Sequence, residues 1–381
     1  MSTRIFSKAA TSAALLVLAA TPALALVPFA KGELFVTGQL RAEYDSNIYS
    51  SNRKIDDTIV TFTPGLSFLR NAGLIRLNVE TALEIQRFAD NTQHDAENGK
   101  FNSGLTWGDE EGKTDGSLSV GINRGAYANT YINDLTLFDR YTFSGNAGHW
   151  FTEKFGFRLL VDVTEERARQ EGYSDVGKEL FGADGRFLVS PKLETFAGYA
   201  FRTTSTNHDP ANRSGLSTHD HRLSVGVKGD LSSKINGLVR VGYMLRDFTN
   251  STLSTQNAPF AQASVNWDAQ EKTSVNLTVT KDFDTTAISQ SVNNFETSLS
   301  VTQRLLEKLS VTGSLSYQHA SYVGGEIDRT DDLVSGRVTA RYHFNDHFSG
   351  SVFATVQGND SSFAVSDFSR NTCGVSLTTR F

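Results

Sequence analysis

The stretch Ile75-Arg76-Leu77-Asn78-Val79-Glu80-Thr81-Ala82-Leu83-Glu84-Ile85-Gln86 decides the fold. Ile75, Leu77, Val79, Leu83 and Ile85, with Thr81, alternate with Arg76, Asn78, Glu80, Glu84 and Gln86. A strand turns successive side chains to opposite faces, so one face here is apolar and the other charged. A helix, with its period of 3.6, would mix the two sets. Such a strand needs hydrocarbon on one side and water on the other.

The same division recurs along the chain. Leu118, Val120 and Ile122 oppose Ser117, Ser119 and Asn123; Phe157, Leu159, Val161 and Val163 oppose Arg158, Asp162, Thr164 and Glu166. Later come Leu223, Val225 and Val227 against Arg222, Ser224 and Lys228, and Val239, Val241, Tyr243 and Leu245 against Arg240, Met244 and Arg246. Val334, Val338, Ala340 and Tyr342 oppose Arg337, Thr339 and Arg341, and Val375, Leu377 and Phe381 oppose Ser376, Thr378 and Arg380. Short polar turns punctuate the pattern at Thr152-Glu153-Lys154, Ser190-Pro191-Lys192, Ser232-Ser233-Lys234, Gln270-Glu271-Lys272, Leu306-Glu307-Lys308 and Asn345-Asp346-His347. They fall roughly 40 residues apart, one hairpin per period. Backbone groups in hydrocarbon must pair internally, which leaves helices or closed barrels as spanning structures.

The pattern therefore predicts an all-β fold, a transmembrane antiparallel up-and-down β-barrel of about 18 strands, with 16 as the alternative, each near the roughly 9–11 residues needed to cross the hydrocarbon. About eight short turns then face the periplasm and about nine longer loops face outward. Alternation is weakest near residues 95–107, 176–189 and 193–202, where the strand count is decided. Phe155, Phe157, Phe196, Phe344 and Phe348 near the turns, and Tyr44, Tyr131, Tyr141, Tyr173 and Tyr322 near the loops, are expected to form interfacial girdles. The competing reading, a soluble β-sandwich, does not call for a leader, uniform hairpins and a terminal aromatic together.

Residues 1–25 read as a signal peptide: Arg4 and Lys8 precede an apolar run from Ala9 to Ala20, and Ala23-Leu24-Ala25 is a small-residue cleavage pattern. Residues 26–381 then form a single barrel. No cysteine follows the cut until Cys373, which parity places toward lipid as a small hydrophobe. With 20% charged residues and a net charge of -6, the composition resembles a soluble protein, because a barrel's lumen face dilutes its apolar face.

Catalysis lacks a motif. There is no Gly-x-Ser-x-Gly elbow, His-Glu-x-x-His, Walker loop or Cys/His zinc spacing, and no cofactor is expected. His208, Asp209, His219, Asp220 and His221 have metal-ligand chemistry but no defining spacing, so they read as a solvated loop and no metal is assigned. The acid pairs Glu165-Glu166 and Asp331-Asp332 read as loop charges. Asp45, Asp90, Asp95, Asp328 and Asp331 could meet lipopolysaccharide through bridging cations.

Parity sends a set of charges inward: Arg76, Glu80, Glu84, Arg158, Asp162, Arg222, Lys228, Arg240, Arg246, Arg304, Arg337, Arg341 and Arg380 are the predicted pore lining. With Arg41, Arg140 and Arg202 added, bases outnumber Glu43, Glu166, Asp230, Glu296 and the other acids, and rings of Arg and Lys favour anions. Arg337, Arg341, Arg240 and Arg246 are the first candidates for solute contact, since the guanidinium fork suits carboxylates. No outer loop is long enough to be an obvious constriction, the longest spanning about Thr203 to Thr218. An unplugged route is expected.

Gly38-Gln39-Leu40-Arg41-Ala42-Glu43-Tyr44-Asp45-Ser46-Asn47-Ile48, then Asp56-Asp57-Thr58-Ile59 and Thr63-Pro64-Gly65-Leu66, resemble the start of the outer-membrane family called β-barrel porin type 2. The likeness is best over the first 70 residues. The last strand, with Val375, Leu377 and the final Phe381, resembles the signal read by the barrel-assembly machinery. The resemblance implies a Gram-negative outer-membrane channel linked to exopolysaccharide export. The expected partners are membrane lipid, lipopolysaccharide, the assembly machinery, polysaccharide and periplasmic export components, with no nucleic acid and a monomeric state. A general porin for small hydrophilic, anion-leaning solutes is the alternative, and a structural barrel with a closed lumen is the next.

Overall fold

A strand that is apolar on one face gains nothing from pairing unless its neighbours turn the same face outward, and the register satisfies this throughout. Leu77 pairs with Leu105, Val225 with Val241, Leu299 with Leu315 and Val352 with Val375 on one surface. Asn266 pairs with Asn276, Thr278 with Ser298 and Ser300 with Ser314 on the other. A one-residue slip would exchange the faces, so the pattern itself pins the register.

The computed structural model describes residues 27–29, 31–108, 112–130, 133–207, 215–249, 251, 253–324 and 329–381. The expected leader lies outside them. The strands are β1 (Val27–Phe29), β2 (Gly32–Asp45), β3 (Asp57–Ala72), β4 (Ile75–Phe88), β5 (Ala96–Trp107), β6 (Thr114–Asn129), β7 (Asp134–Trp150), β8 (Phe155–Ala168), β9 (Val176–Ser190) and β10 (Leu193–Thr206). They continue as β11 (Ser217–Ser232), β12 (Ile235–Phe248), β13 (Gln256–Gln270), β14 (Thr273–Thr285), β15 (Ser291–Arg304), β16 (Leu309–Val323), β17 (Arg329–His343), β18 (Phe348–Ser361) and β19 (Phe368–Arg380). Each pairs antiparallel with its successor, and β19 returns to β2, from Thr372↔Asp45 to Arg380↔Thr37. The result is a closed barrel of 18 strands, β2 to β19, with β1 folded back on the start of β2. The six predicted turns all fall at its short-turn end.

Phe381 completes the closure, exchanging backbone hydrogen bonds with Val36 at 2.9 Å in both directions. Its ring stacks on His347 at 5.1 Å and meets Phe348 edge-on at 5.5 Å. Val375, Leu377 and Cys373 share the outer surface. That surface is an apolar belt in which Leu223 is 66% and Val356 64% exposed, a distribution that water would penalise and lipid would not. The main strands run from 12 residues in β5 to 17 in β7, longer than the roughly 9–11 that hydrocarbon demands, so their ends stand clear of it.

The girdle expectation needs correction at three places. Phe196 and Tyr322 point inward and are buried, each beneath an arginine, and Tyr173 packs against the buried Phe138, Val176 and Ala287, while Tyr131 lies outside the described residues. Phe155 and Phe344 are exposed near the short turns as expected.

Substituting Leu299→Arg should lower the unfolding free energy in lipid vesicles by about 2–4 kcal/mol, whereas its neighbour Ser300→Arg, facing the lumen, should be tolerated. Guanidinium titration of both variants checks this; the reverse order would contradict the assigned faces.

Candidate functional site in the barrel lumen

The register places all the predicted lining residues on the inner surface, but it divides them between two very different walls. Along β6 to β14 arginines and carboxylates interlock. Near the short-turn end Glu194 accepts from Arg158 at 2.7 Å and from Arg186 at 2.5 Å, while Arg186 also reaches Asp115 at 2.6 Å. Lys228 stands beside Glu194 in the ladder. Higher up, Arg240 binds Asp184 at 2.5 Å across the non-adjacent strands β12 and β9. Above that, Asp220 is shared by Arg202 at 2.6 Å and Arg246 at 2.6 Å. Arg246 is fully buried, and Arg158 and Arg240 nearly so.

Four guanidiniums in this wall also cover a ring. Arg186 lies over Trp150 at 4.2 Å, Arg240 over Phe196 at 4.5 Å, Arg222 over Phe260 at 4.0 Å and Arg246 over Phe283 at 4.8 Å. The flat cation keeps its edge donors for carboxylates while its face meets the ring. Gly198 makes the Arg240 pair possible, because a Cβ there would lie 1.9 Å from Asp184 Oδ1. A cavity of about 1110 Å³ opens beneath this wall, lined by Arg158, Arg186, Glu194, Lys228 and Trp150 among others.

The other wall, from β15 through β19 to β4, is largely hydroxyls and amides. Hydroxyl contacts join Thr302 to Thr312 at 3.0 Å and Ser351 to Ser376 at 2.8 Å, and Gln318 donates to Asn294 at 2.9 Å. Set in it are Arg76, Arg304, Arg337, Arg341 and Arg380, all exposed, and none ion-paired among the described residues. Arg337 lies over Phe353 at 4.4 Å and Arg380 over Phe35 at 3.7 Å. Here Glu84 holds Lys100 at 2.5 Å, and Glu80 accepts a weak bond from Asn78 at 3.4 Å. Asp162, on β8, has no ion pair among the described residues.

Two expectations are therefore corrected. Arg240 and Arg246 are locked in buried pairs and cannot greet a solute as Arg337 and Arg341 can. The expected excess of bases also shrinks, because the alternation reading missed Asp115, Asp184, Glu194, Asp282 and Asp284 as well as Arg186, Lys178 and Lys100. On β9 and β10 the inward positions include Leu180, Gly182, Phe196 and Ala200, which blur the polar signal. An aromatic or small residue opposite an arginine in register was the available clue.

The long-loop mouth is bridged, against the expectation of an unplugged route. Residues 46–56 fold inward, burying Ile48 against Ile59, Phe88 and Leu135. Asn133 donates to Ser50 O at 2.8 Å and accepts from Ser366 at 2.5 Å, and Arg329 on β17 reaches Thr130 O at 3.1 Å. From the other side, the β14–β15 tip puts Ala287 against Phe138 and Val176, with Ser174 N donating to Ala287 O at 2.7 Å. Tyr173 donates to Asp134 at 2.9 Å; burial and that bond push its phenol up to about 12, so it remains a donor at neutral pH.

Other expected clusters come apart by strand parity. His219 and His221 turn outward beside Phe201, while Asp220 faces in, and His208 and Asp209 lie outside the described residues. Glu165 pairs outward with Arg167 and Glu166 inward with Arg140; Asp331 is buried with Arg329 while Asp332 meets His319. Asp45 and Asp331, offered as lipopolysaccharide contacts, are buried in ion pairs with Arg370 and Arg329, and Asp328 lies outside the described residues.

A closed barrel with an apolar belt and a charged, water-facing interior is a channel-type protein of the outer membrane. The profile of the family described as "Putative beta-barrel porin 2" matches residues 178–381, more than half of the chain, and the chain belongs to that family. The match falls on the second half, whereas the sequence likeness is read mainly in the first 70 residues. Similar solved structures include OccAB3 of Acinetobacter baumannii, at 10% identity and TM-score 0.48 over 93% of this chain and 100% of that one. OpdK of Pseudomonas aeruginosa has 10% identity and TM-score 0.46 over 91% and 99%. The siderophore receptor PirA of Pseudomonas aeruginosa has 10% identity and TM-score 0.45 over 91% and 80%. No curated protein matches the chain.

Asp184→Ala strands a buried guanidinium and should lower unfolding free energy by about 3–5 kcal/mol. Arg341→Ala, on the open wall, should stay within about 0.5 kcal/mol of the parent. Equal losses in denaturant titrations would contradict the division of the lumen.

Proposed function

We propose that this porin is a passive outer-membrane channel for acidic saccharides, with extracellular polysaccharide as its cargo. The observation that carries the reading is the set of exposed, carboxylate-free arginines on a hydroxyl-rich wall. In one ladder row Arg304, Ser310, Arg341 and Ser351 follow one another across β15 to β18. Neighbouring strands lie about 4.8 Å apart, so Arg304 and Arg341 are about 10 Å apart across Ser310. Charge and hydroxyl thus alternate along the row as uronate and hydroxyl groups do along an acidic glycan.

Transport needs contacts that are many and weak, because tight binding would halt the solute. The opposite wall cannot supply them, its arginines being already satisfied by Asp184, Glu194 and Asp220. No catalysis is invoked; the chain's work is to line a path, and periplasmic export components would deliver the polymer. The bridged outer mouth favours a second reading, a porin for small acidic solutes. A polymer exit requires that the bridge part.

Single-channel recording in planar bilayers distinguishes these. Reversal potentials in a KCl gradient should show anion preference, and oligogalacturonates of increasing length should block progressively longer. Arg337→Ser combined with Arg341→Ser should move the reversal potential toward zero and shorten the blocks. Cation preference in the parent, or block unchanged in the double variant, would contradict the reading; block confined to mono- and disaccharides would favour small solutes.

A further inference from the structure

We propose that Arg202 and Arg222 form a carboxylate-binding site that the chain's own Asp282 occupies, and that a carboxylate-bearing solute competes for it and releases the β14–β15 hairpin from the outer mouth. The proposal rests on the channel reading above.

Asp282 sits in the cradle as a ligand would. Arg202 grips it with both terminal nitrogens, at 3.0 and 3.1 Å, and Arg222 Nη2 contacts its two oxygens at 2.8 and 2.7 Å. Bidentate guanidinium pairing is the geometry used for free carboxylates. Arg222 Nε is buried with no acceptor, so the cradle has a donor its present occupant leaves unused. Neither arginine belongs to a strand adjacent to β14; they reach Asp282 from β10 and β11, past β12 and β13.

The hairpin that carries Asp282 has left its place in the wall. Pairing between β13 and β14 stops at Ala261↔Lys281, although β13 continues outward to Gln256 and β14 to Thr285. The outer ends of the two strands keep only their other neighbours, β12 and β15. Phe283 occupies a position that parity assigns to the barrel's exterior, yet it is 2% exposed. It packs with Met244, Ala258 and Phe260, on the inner face of β12 and β13. The outer part of β14 has thus moved in front of β13. Pro259 lies in the vacated segment and cannot donate a backbone hydrogen bond to a returning β14, which lowers the cost of parting there.

Besides Asp282, the hairpin is held inward by Arg202 donating to Phe283 O at 2.8 Å, by Ser174 N donating to Ala287 O at 2.7 Å and by a few side-chain ties. Lys178 binds Asp284 at 2.5 Å, Arg246 donates to Asp284 O at 2.7 Å and Ser291 Oγ at 2.9 Å, and Thr206 Oγ1 lies 2.8 Å from Ser289 Oγ. Continuing the observed register would set Asp282 opposite Phe260 and Phe283 opposite Pro259, restoring the ladder and returning Phe283 to the exterior. The observed arrangement is packed and hydrogen-bonded, and the alternative would regain ladder bonds with β13, so a solute that binds only one of them shifts the balance.

The test uses the full barrel refolded into planar bilayers, with potassium galacturonate as the acidic probe and galactose as its neutral control. Galacturonate, and not galactose, should raise the open probability of the parent channel. Asp282→Asn keeps the side-chain volume while weakening the grip, and should raise open probability roughly tenfold without probe and abolish the response to it. Lys178→Met, which spares the cradle, should give a smaller rise and keep the galacturonate response. Heat-dependent electrophoretic mobility verifies that each variant is folded. Parent and Asp282→Asn channels that open equally and ignore galacturonate would overturn the proposal alone. Silence of both would overturn it together with the channel reading.

Discussion

Every backbone N–H and C=O that enters hydrocarbon must find a partner within the protein, and here that requirement is met by closing the sheet on itself. The pairing of β19 with β2, finished by the reciprocal Val36 and Phe381 bonds, removes the last open edge. Closure creates an interior, and strand alternation fills it with whatever does not face lipid. The charged lumen is thus a consequence of the fold before it is a device for transport.

What distinguishes this barrel is how those charges are apportioned. On β8 to β12 most guanidiniums are buried and tied to carboxylates on adjacent and non-adjacent strands, four of them stacked on rings, so they brace the wall. Such pairs add little net stability over apolar packing, yet removing either partner leaves a stranded charge. On β15 to β19, apart from Arg329 and Arg370, which pair with Asp331 and Asp45 at the outer mouth, the arginines stand in a field of serine, threonine and asparagine and keep their donors for visitors. The same residue type is cement on one side and surface on the other, and the difference lies in whether Asp184, Glu194 or Asp220 stands within reach.

The fold was largely legible because period-two alternation is a local signal: Ile75 to Gln86 states it unaided, and the turns at Lys154, Lys192, Lys234, Lys272 and Lys308 mark the hairpins. Strand number was harder, since β9 and β10 carry Leu180, Gly182, Phe196 and Ala200 inward, and a bulge at Leu193/Glu194 shifts their register. Which arginines are free could not be read, because Arg240 and Arg341 look alike until Asp184 is brought beside one of them from another strand. The inward hairpin was hidden for a related reason. Asp282, Phe283 and Asp284 alternate like any wall strand, and only the lost pairing with β13 and the burial of Phe283 reveal that the strand has moved. The family likeness supplied the outer-membrane setting, which parity alone implies only as lipid on one face.

The division of the lumen into a braced wall and an open wall is the central claim, and substituted-cysteine accessibility tests it most directly. With Cys373 replaced by serine, single cysteines at Thr339 and Ser300 on the open wall, and at Ser224 and Ala200 on the braced wall, would be exposed in proteoliposomes to a charged, membrane-impermeant thiol reagent. Rapid modification of the first pair with protection of the second is the expected result. Equal rates around the lumen would show that the arginine–carboxylate wall is as open to water as the other, and the account would fail.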